Sequence, residues 1–280
     1  MVREPTGALS PSAIPISPSP ATTAHVEGTQ SAQDGERAAT NAQKNKLNHR
    51  QAWPYGNYRA YYSFRPASSA SADSPAPPAD ALEGRLALLD PSLFRDKRLL
   101  DLGTNSGKIP LDALKHLGLA RATGVDIDPL LIVDAKVQAK EQGYEAEDPR
   151  LDFLTGNFMH DGWFSTFEQE RGQHQFDVIS LFSVTKWLHL HHGDEGMQRL
   201  FRALYDFLPV GGIVVVEPQE WDNYKSAVKK NKDLREVFKA IKMRPPFEEE
   251  MKEVGFVLET RIEREEGGFS RPLLIWRKEG

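Results

Sequence analysis

The chain has 280 residues, 39% of them hydrophobic, with 40 acidic against 35 basic side chains and no cysteine. That is enough apolar content for a large buried core, while the missing thiols exclude disulfides, thiolate nucleophiles and cysteine-ligated zinc. A formal charge of -5 argues against a protein that coats nucleic acid with a uniformly basic surface.

No run of about eighteen apolar residues occurs, and the opening "MVREPTGALSPSAIPISPSP" lacks the apolar block of a secretory signal, so no membrane association and an intracellular location are expected. Residues 1–48 are rich in Ser, Pro, Ala, Thr and Gln and nearly devoid of aromatics; they cannot bury enough apolar surface to offset ordering entropy, which predicts a disordered tail ahead of a folded domain over 49–280. Order begins near "QAWPYGNYRAYYSFRP" (51–66), whose six aromatic residues need a surface to pack on. The Ser/Pro/Ala-rich stretch 67–81 reads as a flexible low-complexity loop.

From Leu82 onward, short apolar runs alternate with helical patterns. Strands are expected near 98–102, 122–126, 151–156, 176–182, 212–217, 256–262 and 273–276, and helices near 109–117, 129–142, 193–207, 223–243 and 246–254. That alternation, ending in two adjacent strands, predicts an α/β doubly wound, Rossmann-like fold: a seven-stranded, mostly parallel sheet with an antiparallel C-terminal hairpin and helices on both faces. The seven-strand ending resembles that of class I methyltransferases.

In such sheets ligands sit beyond the carboxyl ends of the strands, where the strand order reverses. "DLGTNSG" (101–107) occupies the first of those ends, and Gly103 and Gly107 let its backbone turn sharply. The spacing is D-x-G-x-x-x-G rather than the dinucleotide G-x-G-x-x-G, so no pyrophosphate cradle is expected. Asp101 can instead attract a cationic amino group such as that of S-adenosylmethionine. "GVDID" ends the next strand with Asp126, placed to accept two ribose hydroxyls, and "GNF" ends the third, where Asn157 can bond an adenine edge and Phe158 stack on its face. Singly, these are a tight turn, a helix N-cap in "DIDP" and a turn asparagine; in series, at successive strand ends, they suit one adenosyl ligand.

From about Tyr55 to Lys278 the chain resembles the methylphosphate capping enzymes, the bicoid-interacting type of RNA methyltransferase. The resemblance is carried by "YGNYRAYYSFR", "LLDLGTNSG" with "GVDID", "SLFSVTKWLHLHHGDEG", and "GGIVVVEPQEWDNY" with "FSRPLLIWRK". It implies methyl transfer from S-adenosylmethionine to a 5′-terminal phosphate, the gamma phosphate for a triphosphate end, of a small non-coding RNA, and a nuclear location. It places Tyr58 and Arg65 over the donor, Gly103, Asn105, Asp126, Asn157 and Phe158 around it, and Leu181 in the same pocket; Asp101, Thr104, Gly107 and Ile127 complete the expected donor set. Thr104 stands where the family pattern has cysteine, Ser106 and Lys108 also depart from it, and the spacer before "GNF" is short.

Methyl transfer to phosphate is an in-line substitution by an oxygen already anionic at neutral pH, since the second pKa of a phosphomonoester is about 6; no general base is needed. Lys186 and His189 in "TKWLHLHH" are expected to grip the phosphate, with Trp187 as a wall. The plain alternative is a solvated Lys186 and a core Trp187. A metal held by His189, His191 and His192 is disfavoured for want of an acidic outer shell, and none is expected. Tyr55, Tyr58, Tyr61 and Tyr62 can stack on bases or donor, and Arg59 and Arg65 can reach phosphate, unless this segment is simply a helix packing its aromatic stripe. The basic run 223–244, including Lys229 and Lys230, is either an RNA backbone track or a solvated helix face. Partners implied are RNA with a 5′ phosphate and other ribonucleoprotein subunits, around a monomeric catalytic unit. The rivals are a methyltransferase for small molecules or proteins, and an RNA-binding scaffold that keeps the fold without turnover.

Overall fold

The computed structural model of the chain describes residues 55–59, 61–64, 81–172, 176–263 and 271–280, the side chains of 63 and 64 aside. The expected tail over 1–48, the start of order near Gln51, Arg65 and nearly all of the 67–81 loop lie outside the described residues.

The first strand, β1 (Arg98–Leu102), is an apolar run buried on both faces, as a central parallel strand must be. After it come α1 (Lys108–His116), β2 (Arg121–Asp126), α2 (Pro129–Glu141), β3 (Leu151–Thr155), α3 (Trp163–Arg171) and β4 (Val178–Phe182). The second half contains α4 (Thr185–Phe207), β5 (Ile213–Glu217), α5 (Trp221–Lys230), α6 (Arg235–Ala240), α7 (Glu248–Val254), β6 (Phe256–Ile262) and β7 (Leu273–Lys278). The sheet has seven strands in the order β3-β2-β1-β4-β5-β7-β6. β1 to β5 pair in parallel, and β7 runs antiparallel to both β5 and β6. This is the expected Rossmann-like class I arrangement.

Because successive strand residues point to opposite faces, the buried strands feed two apolar layers. Leu100, Leu102, Ile179, Leu181, Val214, Val216 and Trp276 pack with Met197, Phe201 and Leu204 of α4. Leu99, Val178, Ile213, Val215 and Ile275 pack on the other side with Ile109 of α1 and Ala135 and Ala139 of α2. Among the described residues no helix is long and apolar enough to cross a membrane.

Three elements differ from the expectation. The short α3, bracketed by Gly162 and Gly172, was not expected; Phe167 and Trp163 stack there, and Phe167 stacks on Phe176. The expected helix 223–243 is divided, because Asn231 adopts an extended conformation and caps the following turn by accepting from Asp233 N–H at 3.1 Å. The third difference reaches the site: α4 begins at Thr185, and Gly193 is a break inside it rather than its start. At φ 65° and ψ −171° this break is open essentially to glycine alone. It turns Asp194 back so that its carboxylate meets His189 Nε2 at 2.7 Å and accepts the Lys242 N–H at 2.8 Å, tying both halves of α4 to the chain after α6.

A Cβ at 193 would meet nothing nearer than Val237 at 3.9 Å, so Gly193→Ala isolates the dihedral cost. It should destabilise the protein by about 1–3 kcal/mol and lower the thermal midpoint by roughly 2–10 °C; an unchanged midpoint in calorimetry would show that the break carries no strain.

Candidate active site

The strand order reverses between β1 and β4, and the crevice that results opens at the carboxyl ends of the strands. It is a cleft of about 850 Å³, mouth included, within the size range of small-ligand sites. Asp101, Gly103 and Asn105 line it from the end of β1, Asp126 and Ile127 from β2, Gly156 to Met159 from beyond β3, and Phe182, Ser183 and Val184 from β4. Trp187, Leu188, His191 and His192 of α4 form one wall, and Tyr55, Gly56, Asn57, Tyr61 and Tyr62 another.

The glycine-rich turn spends its N–H groups on the protein. Gly103 and Thr104 N–H both donate to the Val125 carbonyl, at 2.8 and 3.0 Å, and Gly107 N–H donates to the Thr104 carbonyl. Asn105 N–H donates to Asp126 Oδ2 at 2.8 Å, and Ser106 N–H to Asn105 Oδ1 at 2.9 Å. No nest of free donors is left for a pyrophosphate. What faces the cleft instead is carboxylate. Asp126 accepts from Asn105 and, through Oδ1, from Asp128 N–H at 3.0 Å, and burial holds its pKa above the ordinary value. Asp101 accepts from the Ser180 hydroxyl at 2.5 Å and is raised to about 6, chiefly by burial.

The N-terminal aromatic segment is held across this cup. Asn105 Nδ2 donates to the Tyr58 carbonyl at 3.1 Å, Asn57 Nδ2 donates to Asp128 at 2.5 Å, and Arg59 makes a bidentate pair with Asp134 at 2.7 and 2.9 Å. The Trp187 indole lies so close over Gly56 that a Cβ there would fall 2.0 Å from it. Tyr55 and His191 close the same edge with rings 4.9 Å apart.

Of the residues expected around a donor or substrate, the structure gathers Asp101, Gly103, Asn105, Asp126, Ile127, Asn157, Phe158, Tyr55, Tyr62 and Trp187 at the cleft. Others it places elsewhere. Thr104 is buried, its side chain turned toward Gly124, and Gly107 fits α1 against Phe153 and Ala135, so neither lines the cup. Leu181 points into the core layer under α4; the next three residues take the place expected for it. Tyr58 offers its carbonyl to Asn105 while its ring meets the edge of Trp187, 6.3 Å between centres, outside the lining. Arg59 is committed to Asp134 on the surface of α2. His189 is fully buried behind the wall, with Nδ1 3.3 Å from the Tyr224 hydroxyl and Nε2 on Asp194, and burial lowers its pKa. It is a structural pin, and on the helical period His191 and His192 face the cleft instead.

Lys186 lies beside the cup, its ammonium 4.4 Å from the Trp187 ring centre, and its pKa is lowered to about 8 by burial and by the nearby charges of Arg271 and Lys230. Lys229 and Lys230 are exposed at the end of α5, so Lys230 joins this group of cations from the run expected to track RNA. Sequence reasoning assigned no role to Arg271; it is buried and donates to the Ser183 hydroxyl at 2.9 Å. The only signal for it was its place in "FSRPLLIWRK", because a long-range pairing across the sheet has no local pattern.

An adenosyl sulfonium fits the lining found among the described residues: two carboxylates, no lysine or arginine, and aromatic faces suited to a base. A dinucleotide's phosphates would instead meet Asp101 and Asp126. Fold and cup together define an S-adenosylmethionine-dependent methyltransferase, and a general methyltransferase-domain model matches residues 100–216. The bicoid-interacting protein 3 family model matches residues 176–278. The U6 snRNA methylphosphate capping enzyme Amus of Drosophila melanogaster is 36% identical over 238 residues, covering 80% of this chain and 74% of that one. The mouse 7SK snRNA methylphosphate capping enzyme is 29% identical over 80% of this chain and 40% of its own length, and the human RNA 5'-monophosphate methyltransferase 30% over 65% and 64%. The chain belongs to this methylphosphate capping enzyme family.

Since the Asp101 carboxyl holds its proton up to about 6, affinity for the cationic donor should fall as pH drops below that value, by up to about tenfold per unit. Calorimetric titration with S-adenosylmethionine from pH 5 to 8 checks this, and Asp101→Asn should flatten the profile. Folding stability has the opposite sign: the folded carboxyl binds its proton more tightly than the unfolded one, so its contribution is lost as pH rises between about 4 and 6.

Proposed function

We propose that this chain methylates an oxygen of the 5′-terminal phosphate of a small RNA. The observation that carries the reading is the sorting of charge at the site. The cup is lined by carboxylates, whereas Lys186 packs on its Trp187 wall with Arg271 and Lys230 near enough to lower its pKa. The first suits a cationic donor and the second an anionic acceptor. The relatives' names, which include snRNA capping and RNA 5'-monophosphate enzymes, support RNA as the acceptor.

When bound, S-adenosylmethionine supplies an electrophilic methyl group on a positively charged sulfur. A phosphate oxygen forms the bond to that carbon as the carbon–sulfur pair returns to sulfur, giving a methylphosphate ester and S-adenosylhomocysteine. No proton need move, because the terminal phosphate is already anionic. The protein's share is geometric and electrostatic. Asp101 and Asp126 hold the cup's charge, Phe158 and the aromatic segment exclude water, and Lys186 and Arg271 orient the acceptor. We place the protein's work in the nucleus among ribonucleoprotein subunits, in line with the small nuclear RNAs in the relatives' names.

One short RNA with a triphosphate, monophosphate or hydroxyl 5′ end, incubated with methyl-labelled donor, should take label on a phosphorylated end only; equal label on the hydroxyl RNA would overturn the reading. Lys186→Ala should raise the KM for phosphorylated RNA by about 10–100-fold while donor binding is retained. In the wild type, the same KM should climb as pH passes about 8, where the Lys186 ammonium loses its proton.

A further inference from the structure

β4 passes into α4 through Ser183 and Val184, and this junction lies between the cup and the cations. Ser183 has a positive φ of 58°, a conformation that a residue with a side chain keeps only when its surroundings hold it there. Its N–H donates to the Glu217 carbonyl at 3.1 Å and its hydroxyl to the Glu217 carboxylate. Its carbonyl accepts from the Gln219 side-chain amide, and its hydroxyl accepts from Arg271 at 2.9 Å. The other end of Gln219 reaches α4: its Oε1 accepts the Thr185 hydroxyl at 3.1 Å and the Lys186 N–H at 2.9 Å.

The Lys186 N–H is one of the first-turn donors that a helix cannot satisfy from within, and Val184, at the cap, has no side-chain oxygen to offer it. Gln219 supplies that acceptor from the loop after β5. It is 2% exposed and does not line the cleft. One buried side chain thus joins the turn carrying Lys186 to the strained residue that anchors Arg271.

We propose that Gln219 is a positioning residue for the acceptor phosphate, fixing the first turn of α4 and Ser183 so that Lys186 and Arg271 address one point beside Trp187. The inference rests on the reading of a phosphate as acceptor. It makes the β5 loop, which need not touch donor or RNA, a determinant of phosphate-directed transfer.

Gln219→Met keeps similar length and volume and removes all three hydrogen bonds. It should lower kcat on 5′-phosphorylated RNA by about tenfold or more while the Kd for S-adenosylhomocysteine in calorimetry stays within about twofold. Gln219→Glu, which still accepts from Thr185 and Lys186, should recover part of the loss. A second readout needs no turnover: the pH dependence of Lys186 acylation, followed by mass spectrometry, reports the ammonium that Arg271 and Lys230 face. In the wild type this should titrate near 8, and in Gln219→Met it should move up toward a solvated lysine. Unchanged kcat and unchanged Lys186 titration would overturn the proposal, and so would donor affinity falling in step with kcat, since the cup itself would then have collapsed. Should Gln219→Met fail to fold, Thr185→Val removes one bond at constant shape and carries the same measurements. A wild-type protein that methylates no phosphorylated end would refute the functional reading, while the Lys186 titration would still decide the positioning.

Discussion

Asp126 at the end of β2 draws the glycine-rich turn back onto the sheet, and the character of the site follows from that one interaction. Its carboxylate takes the Asn105 N–H, while the Val125 carbonyl beside it takes those of Gly103 and Thr104. A turn that could have cradled phosphate is left without free donors, and the cleft faces its ligand with the acids of β1 and β2. Among the described residues the cleft lining carries no lysine or arginine, and the Lys186 ammonium stands against the Trp187 ring. Donor and acceptor of opposite charge can then approach without either being drawn into the other's place.

The same crevice depends on contacts that cross long stretches of chain. The aromatic segment meets the cup mainly through side chains of Asn105, Asp128 and Asp134 and through Gly56 against Trp187. Among these ties the Arg59 pair is exposed. The α4 side is built differently: the Gly193 break, His189 and Asp194 join it to the chain after α6, so the Trp187 wall is braced from behind.

The succession of strands along the chain and the ligand class were legible in the sequence because both are local signals. Runs such as "LLDL" and "IVVVE" mark buried strands, and Asp101, Asp126 and Asn157 fall at successive strand ends, where the topology must bring them together. The orientation of α4 was not legible. "TKWLHLHH" offers three histidines, and which of them face the cleft depends on whether the helix starts before or after them; Gly193 suggested a start but is an interior break. That error of phase exchanged His189 for His191 and His192. Leu181 was misplaced by the two-residue period of a strand, which points it into the α4 layer while Phe182 and Ser183 reach the cleft. Arg59, Arg271 and Gln219 owe their places to partners 75, 88 and 33–36 residues away, and no local pattern records such pairings.

The central claim is that the methyl group is delivered to a terminal phosphate oxygen, because the acceptor is held by cations next to a cup that repels it. Its most direct test is the chemical position of the transferred label. After reaction of a 5′-phosphorylated RNA with methyl-labelled S-adenosylmethionine, the product is digested to nucleotides and treated with phosphatase. The account predicts that the label stays with the 5′-terminal nucleotide as a phosphate ester and that the modified phosphate resists removal. Label on a base or a ribose of any nucleotide would contradict it.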